Sequence, residues 1–333
     1  MKTHAPHKSA ALVVLIALLP CAALRSQTTP EMTFRPSLLS QTALSYSFAG
    51  NANVRNDGIS GSTLVHHFDT SASTQHPIDK GIFWSDGFAF SMNWIVSDAG
   101  VPAPVRLGEL SLNYGYTRAL APGLTLMTFA RPGYYADFSH WTWKTLNVPV
   151  MAAVTYAPNP RLLWIFGASF NYFNRYPVMP AIGLRWKFAD KWTLNLGIPR
   201  FGVSWQVSDL YDLGAFVSGQ GGSFRTTRAP RDPALASTYV DYREMRAGLR
   251  LTFKDKNPPT TTTRTTTTTT TTATPTGTKT ETNTRTRTRT TPPANTSLEI
   301  GCMLLRHFNY YKPGFTLRES PAFYVSFSVG AKP

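Results

Sequence analysis

The chain has 333 residues and a formal net charge of +15, with 33 lysine and arginine residues against 18 acidic ones. The basic residues are spread singly along the sequence and form no helical stripe, so the charge does not indicate a nucleic-acid partner. After residue 23 a single cysteine, Cys302, remains, which excludes a fold held together by internal disulfides.

The N-terminal segment has the parts of a secretory signal peptide, a basic start followed by an apolar run and small residues. Lys2 and Lys8 precede the apolar run, which covers residues 10–19. That run is well short of the ~20 residues that a membrane-spanning helix needs. We therefore predict that residues 1–23 are a signal peptide, that 24–39 are a polar lead-in, and that the protein is exported.

Residues 40–254 and 297–333 alternate apolar and polar side chains with a period of two, which is typical of β-strands. No segment has an apolar 3.6-residue stripe with caps, so we predict an all-β, antiparallel fold. Turn signals divide it into fourteen strands: 41–54, 60–70, 82–97, 106–118, 123–132, 146–157, 161–173, 178–188, 191–199, 201–208, 211–225, 237–254, 297–310 and 321–332. Twelve strands remain an alternative, because 60–70 is poorly patterned and Pro199-Arg200 is compatible with a bend.

The connections between these strands are of two kinds. Short turns such as Ala121-Pro122 and Ala189-Asp190 broadly alternate with long links such as 98–105 and 133–145. This alternation is typical of transmembrane barrels, which have tight turns at one end and long loops at the other. Two connections break the rule. The eleven-residue link 71–81 falls where a short turn is expected, and the tight Pro199-Arg200 turn falls where a long link is expected.

The two faces of the strands leave two interpretations open. A soluble sandwich or lipocalin-like barrel would turn the apolar face inward, whereas an outer-membrane barrel would turn it to lipid. Aromatic side chains at strand ends favour the membrane, as does the scarcity of lysine and glutamate within the strands. The aromatic residues are Trp94, Tyr116, Tyr156, Phe170, Tyr172, Trp186, Phe188, Trp192 and Trp205.

The stretch from Tyr176 to Phe216 resembles the signature of an uncharacterised bacterial outer-membrane β-barrel family, described only as a domain of unknown function. The matching residues are Tyr176, Pro180, Gly183, Trp186, Trp192, Leu194, Leu196, Pro199, Arg200 and Gly202. Residues 242–248 and the ending around 322–325 are similar to later strands of that family. The resemblance implies an integral outer-membrane barrel, and it implies no catalytic activity.

Residues 255–296 interrupt the barrel pattern with a threonine-rich segment. Because it has almost no apolar surface to repay ordering, we predict a disordered insertion. A role in touching anionic cell-wall polymer is the alternative to a repeat expansion without function.

The sequence offers little catalytic chemistry. His66, His67 and His76 could suggest a metal site, but neighbouring strand residues point to opposite faces. Asp137, Ser139 and His140 lie together in one link, which is not the geometry of a catalytic triad. No phosphate loop, dinucleotide fingerprint or cysteine pair is present, so we predict a non-enzymatic protein without cofactor or metal.

The remaining polar residues on inward strand positions are candidates for lining the lumen: Glu109, Asn113, Arg185, Lys187, Gln206, Glu244, Arg246, Arg250 and Glu299. An open pore lined by them would weakly prefer anions. The alternative is a filled interior in which Glu244 and Glu299 pair with Arg246 and Arg250.

We predict outer-membrane lipid as a partner, with small solutes or peptidoglycan as further partners. A pore is the first functional hypothesis, a structural barrel that contacts the cell wall the second, and a lipid-modifying enzyme the third.

Overall fold

The computed structural model describes residues 40–333 apart from short gaps. The gaps are residues 57, 198–199, 228–234, 256–259, 275–276, 292–293, 312–313 and 332–333. The predicted signal peptide and lead-in lie outside the described residues. Among the described residues no helix is long and apolar enough to cross a membrane.

Nearly all described residues lie in strands. The described part of the chain also contains a short 3-10 helix, Trp143–Thr145, in the connection before β7. The strands are β1 (Ser40–Asn53), β2 (Ser62–Asp79), β3 (Ile82–Ser97), β4 (Arg106–Ala121), β5 (Leu124–Ala130), β6 (Gly133–Ala136), β7 (Leu146–Asn147), β8 (Val150–Asn159), β9 (Leu162–Phe170), β10 (Val178–Ala189), β11 (Trp192–Gly197), β12 (Arg200–Gln206), β13 (Tyr211–Arg225), β14 (Tyr239–Phe253), β15 (Thr260–Thr274), β16 (Gly277–Thr291), β17 (Ala294–Tyr310), β18 (Phe315–Glu319) and β19 (Ala322–Ala331).

Seventeen of these strands form one closed sheet with fourteen positions around it. Three positions hold two strands in line, namely β5 with β6, β7 with β8, and β18 with β19. The breaks contain Pro132, Pro149 and Pro321, and proline interrupts a ladder because it has no N–H to donate. β1 pairs with both β2 and β19, so the sheet closes and has no free edge strand. The prediction of an antiparallel barrel is confirmed, with fourteen strands rather than twelve.

The connections sort into two ends of the barrel. At one end, which we call the turn end, most connections are very short: 80–81, 122–123, 160–161 and 190–191. At the other, the loop end, they are longer: 98–105, 137–145, 171–177 and 226–238. The predicted broad alternation of turns and loops is therefore confirmed, with the short β11–β12 connection at the loop end as an exception.

The predicted bounds of the second strand were wrong. The segment 60–70 is part of β2, which continues to Asp79, and Lys80-Gly81 then turns the chain into β3. Gly81 has a φ of +72°, a conformation that glycine adopts without strain. The exception at 71–81 thus disappears. Threonine, serine and glutamine fill both faces of this half of β2, so its period of two was hidden.

The threonine-rich insertion was predicted to be disordered, and here the structure differs. β15 and β16 pair in register from Thr260 opposite Thr291 to Thr274 opposite Gly277, as a separate two-stranded sheet. The physical reason lies in the backbone, since β-branched threonine favours extended conformations and a hairpin satisfies its own peptide groups. In the chain, this hairpin replaces a turn between β14 and β17.

Large apolar side chains cover the outside of the barrel. The exposed ones include Leu110, Leu112, Val150, Ile182, Val217, Leu249, Ile300, Phe323 and Phe327. Eight of the nine aromatic residues predicted for strand ends are exposed as well, all except Tyr116. A soluble sandwich or lipocalin would bury these side chains, so both alternatives are excluded. An apolar band with aromatic borders is the surface that lipid covers in transmembrane barrels.

A lysine in place of Leu249, a β14 side chain that is 58 % exposed, tests this surface. Lipid around Leu249 predicts a loss of about 2–4 kcal/mol in unfolding free energy, the cost of a cation near the bilayer midplane. The measurement is urea unfolding of the barrel refolded in lipid vesicles. Leu120→Lys, close to the turn end, is the matched control and should cost about 0–1 kcal/mol. An equal and small loss of unfolding free energy in both lysine variants would mean that water covers the outer face.

Candidate functional site

The turn-end half of the interior holds a cavity of about 500 Å³, which we call the vestibule. Strands β10 to β14 supply most of its wall. Six basic residues line it, namely Arg185, Lys187, Lys191, Arg200, Arg250 and Lys254. The acidic residues of its lining are Asp190 and Asp212.

The two acidic residues of the vestibule are already engaged. Asp190 accepts a hydrogen bond of 2.9 Å from Arg161, and Asp212 lies 2.7 Å from the Lys254 ammonium group. Arg185 and Lys187 form no ion pair with any described residue. A concave site with low-dielectric walls concentrates the field of such charges. The vestibule therefore attracts anions.

A layer of ion pairs lies between the vestibule and the loop end, and we call it the ion-pair belt. Glu244 pairs with Arg246. Glu299 pairs with Arg250 and with Arg200, the latter at 3.1 Å. The belt also contains Arg306 and Glu319, whose side chains are both 0 % exposed.

Several contacts of the belt cross the interior rather than follow the wall. Arg246 on β14 donates to the Ser47 hydroxyl on β1 at 3.1 Å. Arg306 on β17 donates to the Thr63 hydroxyl on β2 at 2.7 Å. Each of these contacts joins strands three positions apart in the closed sheet. A barrel wider than eight strands has more interior than one inward layer fills, and these long side chains occupy part of it.

Beyond the belt, the loop-end half of the interior is filled by apolar side chains, which we call the loop-end plug. Its members are Val65, Ile95, Val101, Ala103, Leu107, Tyr135, Phe173, Phe224, Leu235, Val240, Tyr242, Phe308, Tyr310 and Leu317. Each of these residues is at most 5 % exposed. Among the described residues, packed side chains therefore occupy the axial path at this end of the barrel.

The predicted lumen residues fall into three groups. Arg185, Lys187, Gln206 and Arg250 line the vestibule. Glu244, Arg246 and Glu299 lie in the ion-pair belt, with the pairing that the filled-interior alternative expected. Glu109 and Asn113 lie apart on β4. The Glu109 carboxylate is 3.7 Å from Arg131, and the buried Asn113 amide oxygen accepts no hydrogen bond from a described residue.

Sequence reasoning missed seven charged members of the site: Asp190, Lys191, Arg200, Asp212, Lys254, Arg306 and Glu319. Arg200 belongs to the Pro-Arg-x-Gly part of the family signature, which was a usable signal. Arg306 was hidden by an irregularity in the pairing of β14 with β17, where Met245 opposes Leu305 but Arg246 opposes Met303. The extra residue on β17 changes the phase of the alternation.

The other candidate chemical groups are not assembled into a site. His66 and His67 point to opposite faces, as expected, and contact Tyr46 and Asn93 respectively. The Asp137 carboxylate accepts hydrogen bonds from the backbone N–H and hydroxyl of Thr227 and from the backbone N–H of Ser139. In the part of the chain that the structure describes, no three histidine, cysteine or acidic side chains are grouped as metal ligands.

The chain is similar to the COG4313 outer membrane channel from Pseudomonas putida F1, at 8 % identity and a TM-score of 0.43, over 92 % of this chain and 99 % of that one. It is also similar to the Pseudomonas putida toluene transporter TodX, at 8 % identity and a TM-score of 0.38, over 88 % and 89 %. Pseudomonas aeruginosa OpdK with vanillate matches at 10 % identity and a TM-score of 0.33, over 88 % and 100 %. No curated protein matches this chain.

A family comparison covers the middle of the chain. The family described as a domain of unknown function (DUF6268) matches residues 98–259. That range includes the whole stretch from Tyr176 to Phe216, on which the resemblance to an uncharacterised family was based. The resemblance is thereby confirmed over residues 98–259, which are similar to this family.

Proposed function

We propose that the protein is an integral outer-membrane β-barrel that carries small solutes and prefers anions. The observation that carries this proposal is the vestibule, where six basic side chains surround about 500 Å³ and both acidic ones are already paired. Arg185 and Lys187 remain available for an anion. A ring of basic side chains is a known basis of anion selectivity in pores.

The location in the outer membrane of a Gram-negative bacterium has separate support. The outer face of the barrel is apolar and carries exposed aromatic rings, and closed barrels are the β-structures that satisfy their backbone groups within lipid. The predicted signal peptide agrees with export. Contact with peptidoglycan through the threonine-rich hairpin stays a prediction, as does the lipid-modifying alternative.

The test of this function is electrical recording from refolded protein in planar lipid bilayers, with a gradient of potassium chloride across the membrane. We expect current steps whose reversal potential lies toward that of chloride. Current steps that reverse toward the potassium potential would contradict the anion preference. A correctly folded barrel that passes no current and transports no small organic anion into vesicles would contradict solute transport itself.

A further inference from the structure

The barrel wall has an opening at the loop end between β10 and β13. β12 begins at Arg200, whose register partner on β13 is Ser218, while β13 continues to Arg225. On the other side, β10 begins five residues before Gly183, the first position that pairs with β11. Above the β11–β12 hairpin, two strands are therefore missing from the described wall. Two missing strands leave roughly 14 Å between β10 and β13, and we call this gap the window.

The two edges of the window have sequences that suit unpaired strands. Pro180 lies in β10 opposite Ala168 of β9, and a proline fits an edge because no partner needs its missing N–H. The facing edge on β13 contains Gly219, Gly221 and Gly222. Glycine carries no side chain over either face of this edge, which is typical of strand positions that a ligand approaches closely. The local sequence thus leaves both edges of the window suited to a molecule that lies against them.

A cavity of about 510 Å³ occupies the window, within the size range of small-molecule sites. Apolar side chains make up much of its wall, namely Met179, Phe201, Val217, Met245 and Leu305. At its deep end lie Gln220 and Glu244. Glu244 is paired with Arg246 of the ion-pair belt, whereas the buried Gln220 amide nitrogen donates to no described residue. The cavity therefore reaches from the outer face to the belt and offers an unused donor at its inner end.

The rim of the window toward the loop end is basic. Arg243 lines the cavity and forms a 2.8 Å ion pair with Asp241. His307 lines it too and pairs across the sheet with Arg318. Arg175 lies in the neighbouring loop, whose Asn174 accepts a hydrogen bond from Ser223. Arg243 and His307 thus line the rim beside Asp241, with Arg318 on the next strand and Arg175 in the next loop, at the margin of the apolar band that ends with Met245 and Leu305.

We propose that the window admits the alkyl chain of an anionic, single-chain amphiphile from the surrounding membrane. In this arrangement Arg243 binds the carboxylate of an alkyl carboxylate while the chain lies along Gly219 and Gly221. The proposal rests on the proposed solute transport, for which it names the substrate class and the lateral route. The cavity of the window reaches Glu244 of the ion-pair belt, whereas the side chains of the loop-end plug occupy the axial path.

Photolabelling with a diazirine-bearing hexadecanoate tests the window in the full chain refolded in vesicles. Gly219→Phe should fill the window, and we expect labelling of β13 and β14 peptides to fall at least about ten-fold. Gly219 is the suitable position because it lies in the regular ladder opposite Met245. Gly221 is not suitable, since its φ is +139° and a Cβ there would lie 2.0 Å from the Tyr242 carbonyl oxygen.

The matched control is Ala152→Phe, which adds the same ring to an exposed site on the outer face of β8, where the wall is continuous on both sides. That variant should keep full labelling. Heat-modifiable electrophoretic mobility checks that each variant is folded, and Met179→Trp fills the window from the opposite edge if Gly219→Phe does not fold. Equal labelling of the window variant and the control would overturn the proposal.

The charge at the rim is tested by comparing the carboxylate probe with a diazirine-bearing hexadecanol. Arg243→Ala should reduce labelling by the carboxylate several-fold and leave labelling by the alcohol unchanged. Equal labelling of the unmodified protein by both probes would overturn the anionic specificity. The bilayer recordings give a separate readout. Window labelling without any current or flux would contradict the proposed function alone. Anion currents without window labelling would contradict the window alone.

Discussion

Replacing Arg306 by alanine is expected to lower the free energy of unfolding by about 3–5 kcal/mol, because it leaves the buried Glu319 carboxylate without its partner. Both side chains are 0 % exposed, and Arg306 also donates to the Thr63 carbonyl oxygen at 3.1 Å. The change therefore removes links between β17, β18 and β2 together. The measurement is urea unfolding of the refolded barrel in lipid vesicles, followed by tryptophan fluorescence.

Two comparisons separate the loss of the ion pair from general damage. Arg161→Ala removes an exposed pair with Asp190 and should cost about 0–1 kcal/mol. The double variant Arg306→Met with Glu319→Leu removes both charges and should recover most of the stability, since apolar replacements of buried pairs are often neutral. A loss in Arg306→Ala no larger than that in Arg161→Ala would mean that the belt does not stabilise the barrel.

Reversing two charges of the vestibule is expected to change the selectivity of the pore. In the variant Arg185→Glu with Lys187→Glu, two unpaired cations of the lining become anions. The interaction energy between an ion and one unit charge about 10 Å away in water is ~0.4 kcal/mol. The double variant changes the lining by four charge units, and a ten-fold change in a ratio corresponds to about 1.4 kcal/mol. The anion-to-cation permeability ratio should therefore fall by roughly ten-fold or more. Reversal potentials in a potassium chloride gradient measure this ratio.

The matched control carries the same change of charge on the outside of the same end of the barrel. Lys80→Glu with Arg118→Glu alters two exposed residues near the turn end that do not line the vestibule. We expect less than a two-fold change in permeability ratio, because salt screens charges beyond about 10 Å. Equal shifts in both double variants would show that ions respond to the overall charge and do not pass the vestibule.

The strand pattern could be predicted from the sequence because the two faces of the barrel wall differ in polarity. The third predicted strand, 82–97, coincides with β3, and 237–254 differs from β14 by two residues at one end and one at the other. In both, the face on the outside of the barrel is apolar, so the period of two is visible. The end of β2 could not be predicted, since its polar residues give no such contrast.

The arrangement of the site depended on information that no single strand contains. Arg200 and Glu299 are 99 positions apart in the chain and lie on strands three positions apart in the sheet. Their contact follows from the register in which the barrel closes, which periodicity does not specify. The window had a local signal in Pro180 and the glycines of β13, but its meaning required the shortness of β11 and β12.

The central claim is that lipid covers the outer face of a closed barrel while water and charged groups occupy its interior. Single cysteines placed along residues 245–253 of β14, with Cys21 and Cys302 replaced by serine, test it most directly when each carries an environment-sensitive fluorophore. We predict bright fluorescence that is quenched by spin-labelled lipids at positions 245, 247, 249, 251 and 253. At the even positions between them we predict dim fluorescence that these lipids do not quench. Equal quenching along the strand, or quenching at the even positions instead, would contradict the claim.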